Sequence, residues 1–158
     1  MDDKQFRQAM GKFATGVTVI TTTDGKQIHG MTANAFMSVS LDPMLVVVSV
    51  NNRAQMFEMI QRTKTYAISI LSEKQANISM HFAKQRELPS VEFEQLNGLP
   101  VIKNALAFVT CELANAYEAG DHTLFLGRVT AIQINDQKEK PLTYFAGEYG
   151  TIFPFEQK

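Results

Sequence analysis

Val17-Thr18-Val19-Ile20-Thr21-Thr22-Thr23 carries a β-branched side chain at every position, Asp24-Gly25 follows it, and residues 27–34 resume as Gln27-Ile28-His29-Gly30-Met31-Thr32-Ala33-Asn34. Branching at Cβ stiffens χ1 and favours a pleated strand. Asp-Gly supplies the positive-φ tolerance that a tight hairpin turn requires. The stretch therefore predicts a β-hairpin, and the segments around it extend the same reading. Leu41-Asp42-Pro43 marks a further turn, after which Met44-Leu45-Val46-Val47-Val48-Ser49-Val50 reads as a strand covered on both faces and as the centre of the core. Residues 66–71 form another strand. From 108 to 117 the side chains alternate, with Val109, Cys111, Leu113 and Tyr117 on one face and Thr110 and Glu112 on the other. After Ala119-Gly120-Asp121 a strand runs from His122 to about Ile134 and pairs antiparallel with its predecessor.

Helical signals are shorter. Phe6, Met10 and Phe13 fall at helical spacing before Gly11 and Gly16 interrupt, which predicts an amphipathic helix ending near residue 13. Residues 53–62 place Met56, Phe57, Met59 and Ile60 along one side, with Asn51 or Asn52 as N-cap. A second helix spans 73–83, and the polar, proline-marked residues 84–100 are expected to form a mobile flap over a site. These helices are too few and too irregular for repeated βαβ units. The expected fold is mainly β, an antiparallel barrel with a few short peripheral helices. A length of 158 residues fits a single domain, 1–158.

The net charge of −1 comes from scattered basic and acidic residues, without the basic patch of a nucleic-acid or anionic-membrane binder. No run approaches the ~18 apolar residues of a membrane span, and the N-terminal residues lack a signal-peptide core, so a cytoplasmic protein is expected. Cys111 is the only cysteine and reads as a buried apolar thiol. Dinucleotide, Walker and Gly-x-Ser-x-Gly motifs are missing, and His29, His81 and His122 show no metal-ligand spacing. Neither a metal site nor a catalytic acid, base or nucleophile is expected.

One segment departs from core chemistry. In Gly30-Met31-Thr32-Ala33-Asn34-Ala35-Phe36-Met37-Ser38-Val39-Ser40, hydroxyl and amide side chains crowd between small residues. Alanines keep such a wall shallow enough for a flat molecule, and the polar side chains offer a few fixed hydrogen-bonding groups. Further candidates are Asn51-Asn52-Arg53, where a helix N-terminus and a cation together suit a phosphate, then Phe82-Ala83, Gly120-Asp121-His122 and Phe145-Ala146-Gly147-Glu148-Tyr149.

These motifs, in this order with Phe6-Arg7-x-Ala9-Met10-Gly11-x-Phe13-Ala14-Thr15-Gly16-Val17-Thr18-Val19 before them and Ser38-Val39-Ser40-x-x-Pro43 among them, resemble the short-chain flavin reductase family. The match is closest to reductase components of two-component phenol and 4-hydroxyphenylacetate monooxygenases. The resemblance implies an FMN-binding split barrel, a homodimer, and NADH-dependent reduction of FAD or FMN, with reduced flavin passing to a partner aromatic monooxygenase. It sets flavin against Met31, Thr32, Ala33, Asn34 and Ala35, with a Ser38-Val39-Ser40 turn near the ribityl chain and phosphate. Phe82 and Ala83 follow from it as apolar contacts. Asn51 and Arg53 are the phosphate candidates and Met56 a further flavin contact by position, although Arg53 also reads as a solvated surface cation and Met56 as a core residue. His122 is expected to position the nicotinamide, with Gly147 and Tyr149 completing that pocket and Phe145 packing behind. Tyr149 reads equally as a core or interface aromatic. NADH is favoured over NADPH because no basic cluster for the extra phosphate is evident near that pocket. Two other classes remain open: an oxidase of related fold, like pyridoxamine-phosphate oxidase, and a non-catalytic flavin carrier.

Overall fold

The computed structural model describes residues 1–136 and 138–156. In chain order the elements are α1 (Asp3–Met10), β1 (Thr15–Gly16), β2 (Thr18–Thr23), β3 (Ile28–Ala33), β4 (Phe36–Leu41), β5 (Met44–Asn51), α2 (Gln55–Thr63), β6 (Thr65–Ile70), a 3-10 turn (Glu73–Gln75) and α3 (Ala76–Phe82). They continue as β7 (Phe93–Leu96), β8 (Leu99–Ile102), β9 (Ala107–Ala119), β10 (His122–Ile134), β11 (Thr143–Phe145) and β12 (Glu148–Gly150).

Seven strands make one antiparallel sheet in the order β3-β2-β6-β9-β10-β5-β4. Its two edges are consecutive in the chain, joined only by Asn34 and Ala35. Laid flat, seven strands would hold those edges roughly 29 Å apart, whereas the link from Ala33 to Phe36 reaches at most about 11 Å. The sheet must therefore curl until its edges meet. No ladder joins β3 to β4, so the result is a barrel split along that seam. At the joint, Ser49 N donates to Ala35 O at 3.0 Å and Phe36 N to Asn34 O at 3.0 Å.

The barrel interior is filled by Ile20, Val46, Val48, Val50, Ile68, Tyr66 and Phe125, with Met56, Met59 and Ile60 of α2 packed against them. A second core lies outside the sheet, where Val19, Ala67 and Phe108 meet Leu99, Val101, Ile102 and Leu142. β2 and its neighbour β6 separate the two, which makes them the strands covered on both faces. The buried hydroxyls of β2 are satisfied: Thr18 donates to Ala33 O at 2.6 Å, Thr21 to Pro100 O, and Thr22 to Thr65 O at 2.8 Å. β5, expected in that central role, instead alternates, burying Val46, Val48 and Val50 while Leu45, Val47 and Ser49 stay half-buried. It lies one strand from the sheet edge, where its outer face is only partly covered by the described residues.

Three other expectations change. The supposed flap over 84–100 ends in the β7–β8 hairpin, whose Leu99, Val101 and Ile102 are buried in the second core. Its apolar residues anchor it beneath β2 and β6. The Ser38-Val39-Ser40 turn is part of edge strand β4, interrupted by a register shift between Ser38 and Ser40. Finally, α2 starts at Gln55 after Ala54, which offers no side-chain cap, so neither Asn51 nor Asn52 is its N-cap. Both hairpins, β2–β3 and β9–β10, form as expected, while the opening helix forms but ends at Met10, capped by Gly11, and leaves Phe13 outside it.

Cys111 is buried, and burial pushes its thiol up to about 12. It packs where β9 and β10 shift register beside Gly127. A Cβ added at Gly127 would lie 2.9 Å from Cys111 Cβ and closer still to the Tyr66 hydroxyl, which donates to Phe125 O at 3.3 Å. Gly127→Ala is expected to lower stability by about 1–3 kcal/mol through overpacking. Urea unfolding followed by circular dichroism reads this directly, and an unchanged midpoint would show that the Tyr66 ring yields freely.

Candidate functional site

The joint between the sheet edges has a cleft on its outer side. Thr32, Ala33 and Asn34 line it from β3 and the link, Ala83 from the end of α3, and Tyr149 from β12, around a volume of about 140 Å³. Five sequence-predicted site residues thus share one concavity. Its walls are tied together: Thr32 Oγ1 donates to Ser79 O at 2.6 Å, and the Ser79 and Tyr149 hydroxyls meet at 2.7 Å. Tyr144 stacks edge-on against Tyr149 at 5.4 Å between centroids. Thr32 therefore spends its hydroxyl on holding α3, while Asn34 and Ala35 stay exposed.

A neighbouring cleft of about 330 Å³ shares Val17 and Asn34 with the first and adds Phe13, Thr15, Phe36 and Ile70. Within it, Thr15 Oγ1 is buried with no hydrogen-bond partner among the described residues. Asn34 stands between the two clefts, with apolar surface on one side and hydroxyls on the other. That is a suitable wall for a flat heteroaromatic plate with one polar edge.

A second group gathers at the same end of β5. Asn51 pairs with His122 across the β5–β10 ladder, three residues beyond the Val48 that pairs with Phe36. Asn51 Oδ1 accepts from Arg53 N at 2.8 Å, Thr123 Oγ1 donates to Asn52 Oδ1 at 2.8 Å, and Asn52 N donates to Asp121 O at 3.0 Å. These bonds lock the 51–53 corner to the 120–123 turn. His122 Nδ1 lies 2.7 Å from Asp121 Oδ1. The hydrogen bond and charge of His122, with a smaller contribution from Arg53, hold the Asp121 carboxyl below its usual range. Arg53 is exposed and precedes α2 rather than sitting in its first turn.

Other predicted residues lie elsewhere. Met56 is wholly buried in the barrel interior, so it has no surface to offer a cofactor. Met31 is half-buried against the same core. Phe82 packs on the backbone of Gly30, where an added Cβ would come within 2.5 Å of its ring, and edge-on to His81 at 4.8 Å. Its ring supports β3, and Ala83 is the part of that pair that reaches the cleft. Ser38, Val39 and Ser40 follow the open edge strand away from Asn34. Phe145 is 48% exposed and does not pack behind Tyr149; the aromatic there is Tyr144, its cross-strand partner.

Ala146 and Gly147, at φ +51° and +85°, form the two-residue turn between β11 and β12. Sequence reasoning missed this hairpin, although Gly147 flanked by Tyr144-Phe145 and Tyr149 is its signal. It also missed Ser79 and Tyr144, which meet the cleft only through tertiary packing. The turn faces α1, and Lys4, Arg7 and Lys12 line the intervening cleft with Gly147. A basic cluster therefore does adjoin the proposed nicotinamide pocket, contrary to expectation. Among the described residues no group of three or more His, Cys, Asp or Glu is placed to hold a metal ion.

A split barrel with a shallow, hydroxyl-walled cleft at its seam defines a binding protein for a flat heteroaromatic ligand. The model of the flavin reductase like domain matches residues 10–152. An NADH-dependent flavin reductase of a Rhodococcus species is 44% identical over 150 residues, 92% of this chain and 84% of that protein. The reductase component of 4-hydroxyphenylacetate 3-monooxygenase of Thermus thermophilus is 36% identical over 91% of this chain and 93% of that protein. The solved structure of flavin reductase PheA2 in its native state superposes with a TM-score of 0.93 at 57% identity, covering 98% of this chain and 100% of that one. The chain belongs to the flavin reductase like family.

The Asp121–His122 contact has a measurable consequence. A carboxyl held low in the folded chain stabilises it above the ordinary carboxylate range, and that contribution is lost as pH falls through the depressed value. In His122→Ala the Asp121 carboxyl should titrate closer to an ordinary aspartate in carbon-detected NMR; an unmoved midpoint would assign the shift to another group.

Proposed function

We propose that this protein is an NADH-dependent flavin reductase that reduces FAD or FMN and supplies reduced flavin to a separate flavin-dependent aromatic monooxygenase. The observation that carries this reading is the cleft at Asn34, where small residues and engaged hydroxyls leave a flat, shallow wall and no acid–base pair. Flavin, when bound, supplies the chemistry by accepting at N5 the hydride from C4 of the nicotinamide, so the protein need only bind and orient the two rings. Kinship with a Rhodococcus enzyme named as NADH-dependent and with a monooxygenase reductase component supports the donor and the partner class.

Each residue then has a defined task. Ala33 keeps the wall low, Ala35 keeps the exposed link beside it small, and Asn34 contributes a hydrogen-bonding amide at the ring. Ser79 and Tyr149 brace the far wall through their 2.7 Å contact. Asn51 and Arg53 offer a backbone corner and a cation for the flavin phosphate. His122, oriented by Asp121, positions the nicotinamide, and the open space at Gly147 leaves room for the rest of that pocket. The open cleft suits a flavin that must leave after reduction. The chain acts as one domain and as a homodimer: Met37, Val39 and Leu41 of β4 and Phe6 and Met10 of α1 are exposed, an apolar surface of the kind a second copy covers. Sedimentation velocity tests the dimer, and a monomer at micromolar concentration would refute it.

Anaerobic mixing with FAD or FMN and then NADH should bleach the oxidised-flavin absorbance far faster than a protein-free control. Stable binding without bleaching would favour an oxidase or a flavin carrier instead. In His122→Ala, the KM for NADH should rise about tenfold, as for a lost hydrogen bond to bound ligand, with oxidised flavin still bound; loss of flavin binding would reassign the residue.

A further inference from the structure

We propose that Arg7 and Lys12, facing the Ala146–Gly147 turn across the cleft beneath α1, bind the pyrophosphate of the nicotinamide dinucleotide. The proposal rests on the reductase reading and extends it to a part of the donor that none of the motifs above contacts.

Three observations support it. The cleft encloses about 870 Å³ and is lined by Lys4, Arg7 and Lys12 against a single carboxylate, Asp3. None of these three cations is among the ion pairs formed by the described residues, which use Arg62, Lys74, Lys103 and His122. Lys12 instead stands 5.8 Å from the centre of the Phe145 ring. The cations are also held to the site, because Ala146 N donates to Gly11 O at 2.8 Å and fixes the end of α1 against the turn. Finally, Tyr144 lines both this cleft and the one at Asn34, and an added Cβ at Gly147 would meet nothing within 4 Å. The two clefts are thus neighbours on either side of Tyr144, and the space beside Gly147 is open for a ligand that reaches from one to the other.

The C-terminal dipole of α1 favours a cation such as Arg7 in its last turn. It does not explain why three cations face one concavity that opens beside Gly147. A dinucleotide does: its reactive ring and its adenosine half are separated by two phosphates, whose negative charge has to be met by donors between the two ends. Arg presents a planar fork of N–H donors that matches phosphate oxygens, and Lys adds a mobile point charge.

The test compares the wild-type chain with the Arg7→Ala/Lys12→Ala double variant and with Arg7→Lys. ADP-ribose, which carries the pyrophosphate without nicotinamide, is titrated calorimetrically. Steady-state flavin reduction is then measured with NADH and with reduced nicotinamide riboside, a donor that has no phosphate. The double variant should bind ADP-ribose at least about tenfold more weakly and lose about ten- to a hundredfold in kcat/KM for NADH, chiefly through KM, as expected for two charge-assisted bonds. The loss should be confined to the donor with pyrophosphate. Arg7→Lys, which keeps the charge but loses the fork, should fall between the wild type and the double variant, and added salt should raise the wild-type KM for NADH more than that of the double variant.

Unchanged ADP-ribose binding, or an equal loss with both donors, would overturn the assignment. So would a defect seen only when an oxygenase is present, since that would make the basic cleft a protein-docking surface. Bleaching by the riboside tests the reductase reading separately: if neither donor reduces flavin, that reading fails, while the ADP-ribose titration still decides the cleft.

Discussion

The structure depends on a link of two residues. Asn34 and Ala35 must join the opposite edges of a seven-stranded sheet, and two residues are too short to cross a flat one. Curling is therefore obligatory. The link ends up at the seam of the barrel, exposed on the outside and fixed from within by the hydrogen bond from Ser49 to Ala35. The residues least able to be core thus occupy the one place where the sheet has no neighbouring strand to cover them.

That constraint also explains the distribution of threonine. β2 helps divide two cores, so its backbone and side chains are buried together, and each buried hydroxyl on it is matched to a carbonyl from another strand. Thr32, on the neighbouring strand, directs its hydroxyl outward to α3, and through Ser79 and Tyr149 the same chain of contacts reaches the β11–β12 hairpin. The site wall and the packing of the C-terminal hairpin are consequently one network. Rate enhancement in such a site comes from holding two rings in register, which needs rigid walls more than reactive side chains.

Much of this was legible before any coordinates. Hairpins announce themselves through local chemistry, as Asp24-Gly25 does, and the Gly30–Ala35 segment is chemically unlike a core strand. The errors share a cause. Met56 has the same side chain whether it faces a ligand or Val48, and a seven-residue apolar run does not say which of its faces will be covered. The 84–100 excursion looked loose because its polar residues come first, while the anchoring Leu99, Val101 and Ile102 bury themselves against strands distant in sequence. Ser79, Tyr144 and the basic cleft under α1 lacked any local motif at all.

By itself the sequence determined the β2–β3 and β9–β10 hairpins, the small polar segment at 30–35, and the family, because each depends on residues close together in the chain. Only the tertiary structure decided which strands became the buried dividers, which predicted contacts were core, and which cations faced the turn at Gly147. Those outcomes depend on which distant surfaces curl into contact, and short-range stereochemistry carries no record of that.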